Sequence, residues 1–233
     1  MGRLLVHVEG ETEEVFVNEL LTRPLLDYGY DRVGARLLGN ARLRDRRGGI
    51  RGWNTVRRDI IRHLSEDRGC IATTMVDYYG LPASGDKAWP GRASATLLAP
   101  AAKGPHVEAA LLDDVANEMG DNFDRRRFVP FVVMHEFEGL LFSDCGDFAR
   151  GIGNSTLASR LQAVRDQFET PEHINDSAST APSRRVEAII PSYVKPLQGN
   201  LAALEIGLDK IQAACPHFSA WIIELRDRST LIV

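Results

Sequence analysis

Short apolar segments alternate with amphipathic segments along the first half of the chain. Arg3–Val8 has the composition of a buried strand, and residues 11–26 repeat apolar side chains at helical spacing. The same alternation predicts strands at 33–38, 70–76 and 128–134 and helices at 54–67 and 105–119. Strands separated by helices favour an α/β fold with a central, mostly parallel sheet flanked by helices.

The strand pattern fades after Asp144. Helices are predicted at 157–168, 201–214 and 220–226, with Pro216 as a break, and 170–185 is predicted to form loops or short helices. We therefore expect an α/β core over residues 1–145 and a mainly helical C-terminal portion over 146–233, packed together as one compact unit. Pro130 places an irregularity or a sheet edge within the strand predicted at 128–134.

Composition limits the classes of protein that the chain can represent. The 233 residues are 44% hydrophobic and 26% charged, with a formal net charge of −4, which is typical of a globular protein of one large domain. No apolar run reaches the length of a membrane span, and the acids near the N-terminus exclude a signal peptide pattern. Three widely separated cysteines form neither a disulfide framework nor a zinc motif, so we expect a cytoplasmic protein without membrane contact.

Carboxylates follow three of the predicted strands. Glu9 comes directly after the first strand, Asp77 follows the strand at 70–76, and Glu136 and Glu138 follow the strand at 128–134. Because parallel strands end at one edge of a sheet, these acids could converge there, and a cluster of oxygen ligands suits Mg²⁺. The alternatives are purely structural roles. Asp77 could be a turn residue, and the helix dipole favours acids at the start of a helix. That second explanation suits Glu11 and Glu13 better than Glu9.

Arginines are concentrated between two predicted elements. These arginines could form a phosphate-binding surface, and Trp53 nearby could then stack on a base. The alternative is a solvated charged face, in which Asp45 and Asp59 are among the counter-charges. In the second half, Arg185 and Lys195 could also contact phosphates. The alternative for both residues is a structural role at the surface or at a helix end. The arginines assigned to nucleic-acid contact are Arg42, Arg44, Arg46, Arg47 and Arg51.

Several motifs together resemble a Toprim-like family, DUF4276, whose members are often encoded beside ATPases of the ABC or AAA kind. The resemblance spans nearly the whole chain. It rests on VEGETE (8–13), VDYYGLP (76–82), HEFEGLLFSD (135–144), PEHIND (171–176), APSRR (181–185), YVK (193–195) and CPHF (215–218).

This resemblance implies a Toprim-like Rossmannoid fold and a Mg²⁺- or Mn²⁺-dependent nuclease, as the effector partner of an ATPase in an anti-phage module. Glu9 matches the general acid/base position and Asp77 the first acid of an Asp-x-Asp pair, whereas Tyr79 stands in place of the second acid. Glu136 or Glu138 would then replace the missing ligand. The alternative is a non-catalytic subunit with a degenerate site that docks to an ATPase. The sequence leaves DNA, RNA and a nucleotide as alternative substrates, and the protein could form a homodimer.

Overall fold

A parallel sheet forms the centre of the molecule. The computed structural model describes residues 2–38, 50–174 and 180–230. Its strands run in the spatial order β2-β1-β3-β4, with β5 also paired to β3, and every pairing is parallel. The predicted α/β fold is therefore confirmed. The strands are β1 (Arg3–Val8), β2 (Arg32–Leu37), β3 (Cys70–Asp77), β4 (Phe128–Val129) and β5 (Val132–Val133).

The strand predicted at 128–134 is divided into β4 and β5 by Pro130. Proline has no N–H to donate to a sheet, so regular pairing stops there. Thr74 on β3 replaces the missing ladder bonds with its hydroxyl: Thr74 Oγ1 donates to the carbonyl of Phe131 and accepts from the N–H of Phe131, both at 2.9 Å. The two short strands therefore continue along the same side of β3.

Helices connect the strands in the first half. After β1, the chain forms α1 (Glu11–Phe16), a π-helical turn (Val17–Leu21) and α2 (Thr22–Asp27). The connection from β2 to β3 contains α3 (Trp53–Glu66), and that from β3 to β4 contains α4 (Pro100–Met119). The prediction that a helix starts at Pro105 is wrong. Pro100 occupies the first turn, where a proline is well tolerated, and Pro105 lies inside α4.

The second half is helical, as predicted. Two boundaries differ. Gly207, with φ +79°, ends the helix predicted over 201–214 and separates it into two. The helix predicted at 220–226 begins earlier, with Pro216 in its first turn rather than before it. The helices are α5 (Glu138–Leu141), α6 (Cys145–Gly151), α7 (Ala158–Arg165), α8 (Pro182–Ile189), α9 (Asn200–Ile206), α10 (Leu208–Ala214) and α11 (Pro216–Ser229).

Both faces of the sheet are covered. Alternate residues of β3 enter different hydrophobic clusters: Ile71 and Met75 pack on one side, and Ala72 and Val76 pack on the other. The first cluster contains side chains from both predicted portions of the chain, including Phe218 of α11. The boundary at residue 145 itself stays a prediction. Within the ranges described above, none of the helices has the length and apolar character that a membrane crossing requires.

The crossing of α6 and α9 depends on Gly151. A Cβ at this position would lie 2.6 Å from the Cα of Ala202, a backbone atom that cannot turn away. We expect Gly151→Ala to lower the free energy of unfolding by about 1–3 kcal/mol, since the two helices must separate. Urea unfolding measures this loss. The matched control is Gly34→Ala on β2, where no atom of the described residues lies within 4 Å of the added Cβ. Equal midpoints for the two variants would contradict the tight crossing.

Candidate active site

Two of the predicted acids lie between two neighbouring strands whose following strands are added on opposite sides of the sheet. β1 and β3 are neighbours at the centre, but β1 is followed by β2 on one side and β3 by β4 on the other. Open α/β sheets bind ligands at such a switch point, outside the carboxyl ends of the strands. Val8 lies opposite Met75 in the pairing of β1 with β3. Glu9 directly follows β1 and Asp77 ends β3, so both acids lie at this edge.

Glu13 and Glu138 complete a group that we call the acidic cluster, defined as Glu9, Glu13, Asp77 and Glu138. The side chain of Glu138, at the start of α5, is 0% exposed, and Glu13 is 3% exposed. The sequence pattern favours Glu13 as an ordinary acid at a helix start, whereas the structure places it in this buried group. Its position contained a usable signal, because Phe16 and Val17, three and four residues later, belong to the buried face of the same helical segment.

Lys195 makes ion pairs with two members of the acidic cluster. Its ammonium Nζ lies 3.4 Å from Asp77 Oδ2 and 3.1 Å from Glu138 Oε2. The lysine begins a π-helical turn, Lys195–Gly199, that leads into α9. The sequence suggested that Lys195 could contact phosphate. In the structure it lies against carboxylates that are 57 and 118 residues earlier in the chain.

Burial and mutual repulsion shift the acids in the same direction. Burial is the main cause that raises the pKa of Glu9 to about 8, and the charges of Asp77 and Glu13 add to it. Burial likewise raises the pKa of Glu13 and of Glu138 to about 7, and it raises the pKa of Asp77 against the opposing charge of Lys195. Burial alone would lower the pKa of Lys195, but Asp77 and Glu138 outweigh it and raise that pKa.

Several oxygens of the acidic cluster lack hydrogen-bond donors among the described residues. Within residues 2–38, 50–174 and 180–230, Glu9 Oε2 and both carboxylate oxygens of Glu138 are buried without a hydrogen bond, although Glu138 Oε2 has the ion pair with Lys195. Glu9 packs against backbone, since a Cβ on Gly80 would lie 2.8 Å from its Oε2. Asp77 Oδ1 accepts the N–H of Phe137 at 2.9 Å. Buried carboxylate oxygens without donors are costly and suit a hard divalent cation.

The acids are not yet arranged around one point. Among the described residues, no three histidine, cysteine, aspartate or glutamate side chains form a group that could hold a metal ion as they stand. The donor chemistry fits Mg²⁺ or Mn²⁺, but binding requires side-chain movement. Lys195 is the obvious residue to move, because it already contacts Asp77 and Glu138.

Glu136 lies beside the acidic cluster in a different role. Its Oε2 accepts the N–H of Ser183 at 2.9 Å, at the start of α8, while its charge contributes to raising the pKa of Asp77. Arg185 is also held locally: its Nε donates to the carbonyl of Thr180, and its guanidinium lies 4.9 Å from the ring centroid of Phe168. The structure therefore brings Glu9, Asp77 and Glu138 together. Glu136 and Arg185 instead form hydrogen bonds with backbone groups outside the acidic cluster.

The predicted nucleic-acid surface is described only in part. Arg42, Arg44, Arg46 and Arg47 lie outside the described residues. Arg51 is exposed, and its carbonyl accepts the indole N–H of Trp89. The prediction that Trp53 stacks on a base is wrong. Its ring is buried against Trp89, with 5.0 Å between the ring centroids, and its indole N–H donates to Asp114.

A strained backbone lies next to the acidic cluster. His135 is buried and has φ +67°, a conformation that is uncommon for residues other than glycine and that clusters at functional sites. Its carbonyl accepts the N–H of Tyr79, and the two rings are stacked at 5.3 Å. Tyr79 is 37% exposed, so part of this aromatic side chain faces solvent beside the acidic cluster.

Comparison with known families agrees with the motifs. A family model described as a domain of unknown function, DUF4276, matches residues 8–226. The chain belongs to this family. Comparison with curated proteins and with solved structures gives no match. The region matched by the DUF4276 model includes the whole acidic cluster and Lys195.

The metal-free protein should lose stability as the pH rises. Glu9, Glu13 and Glu138 have an ordinary pKa of 4.5, but in the folded protein these values rise to between about 7 and about 8. Across that window the folded state binds more protons than the unfolded state. Its free energy of unfolding therefore falls with increasing pH, and the fall ends above the folded-state pKa values.

Replacing Glu13 with Gln should reduce this fall by about 2 kcal/mol, because one buried carboxyl no longer has to ionise. Urea unfolding in EDTA at about pH 5 and about pH 8 measures the change. The matched control is Glu19→Gln, which removes an exposed acid from the following turn. A Glu13→Gln protein with the same pH dependence as wild type would contradict the assigned burial and repulsion.

Proposed function

We propose that this protein is a divalent-cation-dependent phosphodiesterase that acts on nucleic acid. The main support is the acidic cluster at the switch point between β1 and β3. Three buried acids, Glu13, Asp77 and Glu138, lie there beside the partly buried Glu9, and Lys195 forms ion pairs with two of the four. Carboxylates in a site of this kind are suited to Mg²⁺ or Mn²⁺, and the resemblance to Toprim-like proteins adds the reaction class by analogy.

Each acid has a role in this proposal. Asp77 and Glu138 would hold the cation, with Glu9 as a further ligand or as the proton carrier. A bound divalent ion would lower the pKa of a water molecule and stabilise charge on the scissile phosphate. Glu9 is the candidate proton carrier because burial and the neighbouring acids raise its pKa to about 8 in the metal-free protein. Glu13 adds a carboxyl group whose charge acts on Glu9, and Glu136 fixes the start of α8 next to the site.

The substrate class follows from the surroundings of the acids. Tyr79 offers an exposed ring on which a base can stack, and such stacking tolerates any sequence. Arg51, together with Arg42, Arg44, Arg46 and Arg47, is proposed to contact the phosphate backbone. Backbone contacts position a nucleic acid without reading its sequence, so we expect weak sequence preference for DNA or RNA. An ABC- or AAA-type ATPase encoded nearby is the proposed partner in an anti-phage system.

The purified protein should cleave DNA or RNA when Mg²⁺ or Mn²⁺ is supplied, with its neighbouring ATPase present. Asp77→Asn and Glu9→Gln should each lower the rate at least about 100-fold, the range expected when a group that acts on the reacting atoms is removed. Gel analysis of labelled single- and double-stranded substrates measures the rate.

The control for this assay is Glu205→Gln, which removes an acid that pairs with Arg150 on the surface. It should cleave at the wild-type rate. Circular dichroism should show that all variants remain folded. Intact DNA and RNA at every metal concentration, with folded protein and the ATPase present, would contradict the proposed activity.

A second function is favoured by a separate feature. Lys195 already neutralises part of the acidic cluster, and an exposed apolar stripe lies on the same segment of chain. That stripe suits a non-catalytic subunit that docks to an ATPase. Its residues are Val194, Leu197, Leu201 and Leu204.

The two functions are distinguished by co-purification with the ATPase and by calorimetry. A docking subunit should bind the ATPase equally well after Glu9→Gln, lose binding at least about tenfold after Leu201→Asp, and show no heat of Mn²⁺ binding. Leu97→Asp is the matched control, because Leu97 is exposed and lies outside the stripe. Loss of both metal binding and biological effect in Glu9→Gln would exclude this second function.

A further inference from the structure

The Lys195 ammonium lies where a cation is needed. Its Nζ contacts Asp77 Oδ2 at 3.4 Å and Glu138 Oε2 at 3.1 Å, and Glu138 is fully buried. In the part of the chain that the structure describes, the other oxygen of Glu138 and Oε2 of Glu9 are buried without a hydrogen bond. The lysine therefore supplies a positive charge to two of these buried acids, Asp77 and Glu138.

We propose that Lys195 is a built-in competitor of the divalent cation, which binds only when the ammonium leaves Asp77 and Glu138 and moves toward solvent. This inference rests on the proposed function, because it assumes a metal site at the acidic cluster. The reason is electrostatic: an ammonium and a dication cannot share the same two carboxylates without strong repulsion between them. Occupation by one cation therefore excludes the other.

The side chain has a route outward while its backbone is held. The Lys195 side chain is 35% exposed, whereas Asp77 and Glu138 are 11% and 0% exposed. The N–H of Val194 donates to Gln198 Oε1 at 2.6 Å, and the N–H of Gln198 donates to the carbonyl of Val194 at 2.9 Å. These bonds fix the turn on both sides of Lys195. Rotation about the four-carbon stem of the lysine is therefore the movement that opens the site.

Lys210 offers a matched control within the same chain. Its Nζ also bridges two carboxylates, Asp144 Oδ2 at 2.7 Å and Asp147 Oδ2 at 2.6 Å. This second pair lies outside the acidic cluster, and Asp147 keeps an additional partner in Arg150. A change seen at Lys195 but not at Lys210 would belong to the acidic cluster rather than to lysine–carboxylate pairs in general.

The first experiment uses the wild-type protein and needs no variant. Lysine residues are labelled briefly with an acylating reagent, with MnCl₂ or with EDTA, and the modified peptides are quantified by mass spectrometry. We expect Mn²⁺ to raise the labelling rate of Lys195 by about tenfold or more, because the released amine is no longer held in an ion pair, and to leave Lys210 unchanged. An unchanged or lower rate at Lys195 while Mn²⁺ binds would overturn the proposal.

The second experiment measures Mn²⁺ binding by titration calorimetry. We expect Lys195→Met to bind Mn²⁺ about tenfold or more tightly than wild type, because no ammonium has to be displaced, whereas Lys210→Met should not differ from wild type. Lys195→Arg keeps the positive charge and should bind no more tightly than wild type. The rise in unfolding temperature caused by Mn²⁺ should likewise be largest for Lys195→Met.

The outcomes separate this inference from the proposed function. Equal or weaker binding by Lys195→Met, with measurable binding by wild type, would overturn the competition and leave the metal site intact. Equal gains from Lys195→Met and Lys210→Met would overturn its assignment to the acidic cluster. Absence of Mn²⁺ binding in wild type and in every variant would overturn the metal site itself, and the competition with it.

Discussion

Repulsion among buried carboxylates at the carboxyl ends of β1 and β3 is the constraint around which this site is built. Asp77 and the three glutamates near it are taken out of water, where ionisation is costly, and placed near each other, where it is costlier still. Protonation relieves part of that cost, and the ion pairs of Lys195 relieve another part. A fold that served only stability would gain by replacing such a group with apolar side chains. The presence of these acids is therefore the basis of the chemistry proposed at this edge of the sheet.

The surrounding structure holds the acids in place. Parallel pairing of β1 with β3 puts two strand ends side by side, and hydrophobic packing on both faces of the sheet fixes the strands. The N–H of Phe137 donates to Asp77 just before Glu138 begins α5, so the strained chain at His135 is fastened to the end of β3. Glu136 in turn accepts from the start of α8. Each acid is thus positioned by a separate element, and the C-terminal helices bring Lys195 onto the group. The DUF4276 model matches residues 8–226, which include the four acids and Lys195.

Local patterns predicted much of the secondary structure and failed where one residue has two possible roles. Pro105 predicts a helix start, but it lies inside a helix that an earlier turn at Pro100 has already begun. The helical pattern over 201–214 continues through Gly207, and only the positive φ of this glycine shows that the chain turns there. The arginines near Trp53 suggest base stacking, whereas its helix directs the ring into the core against Trp89. In each case the local sequence allows both arrangements and packing selects one.

The sequence by itself determined the parallel α/β architecture and the presence of Glu9 and Asp77 at strand ends, since both follow from short-range rules of periodicity and strand direction. Tertiary structure decided which other residues join them. The orientation of α1 about its axis places Glu13 at the site, and the bend at His135 places Glu138 there. A turn 118 residues beyond Asp77 in the chain brings Lys195 to the same site. Long-range packing sets these positions. Local sequence patterns do not predict them, because a lysine in a loop has the same neighbours in sequence whether it faces phosphate, solvent or a buried carboxylate.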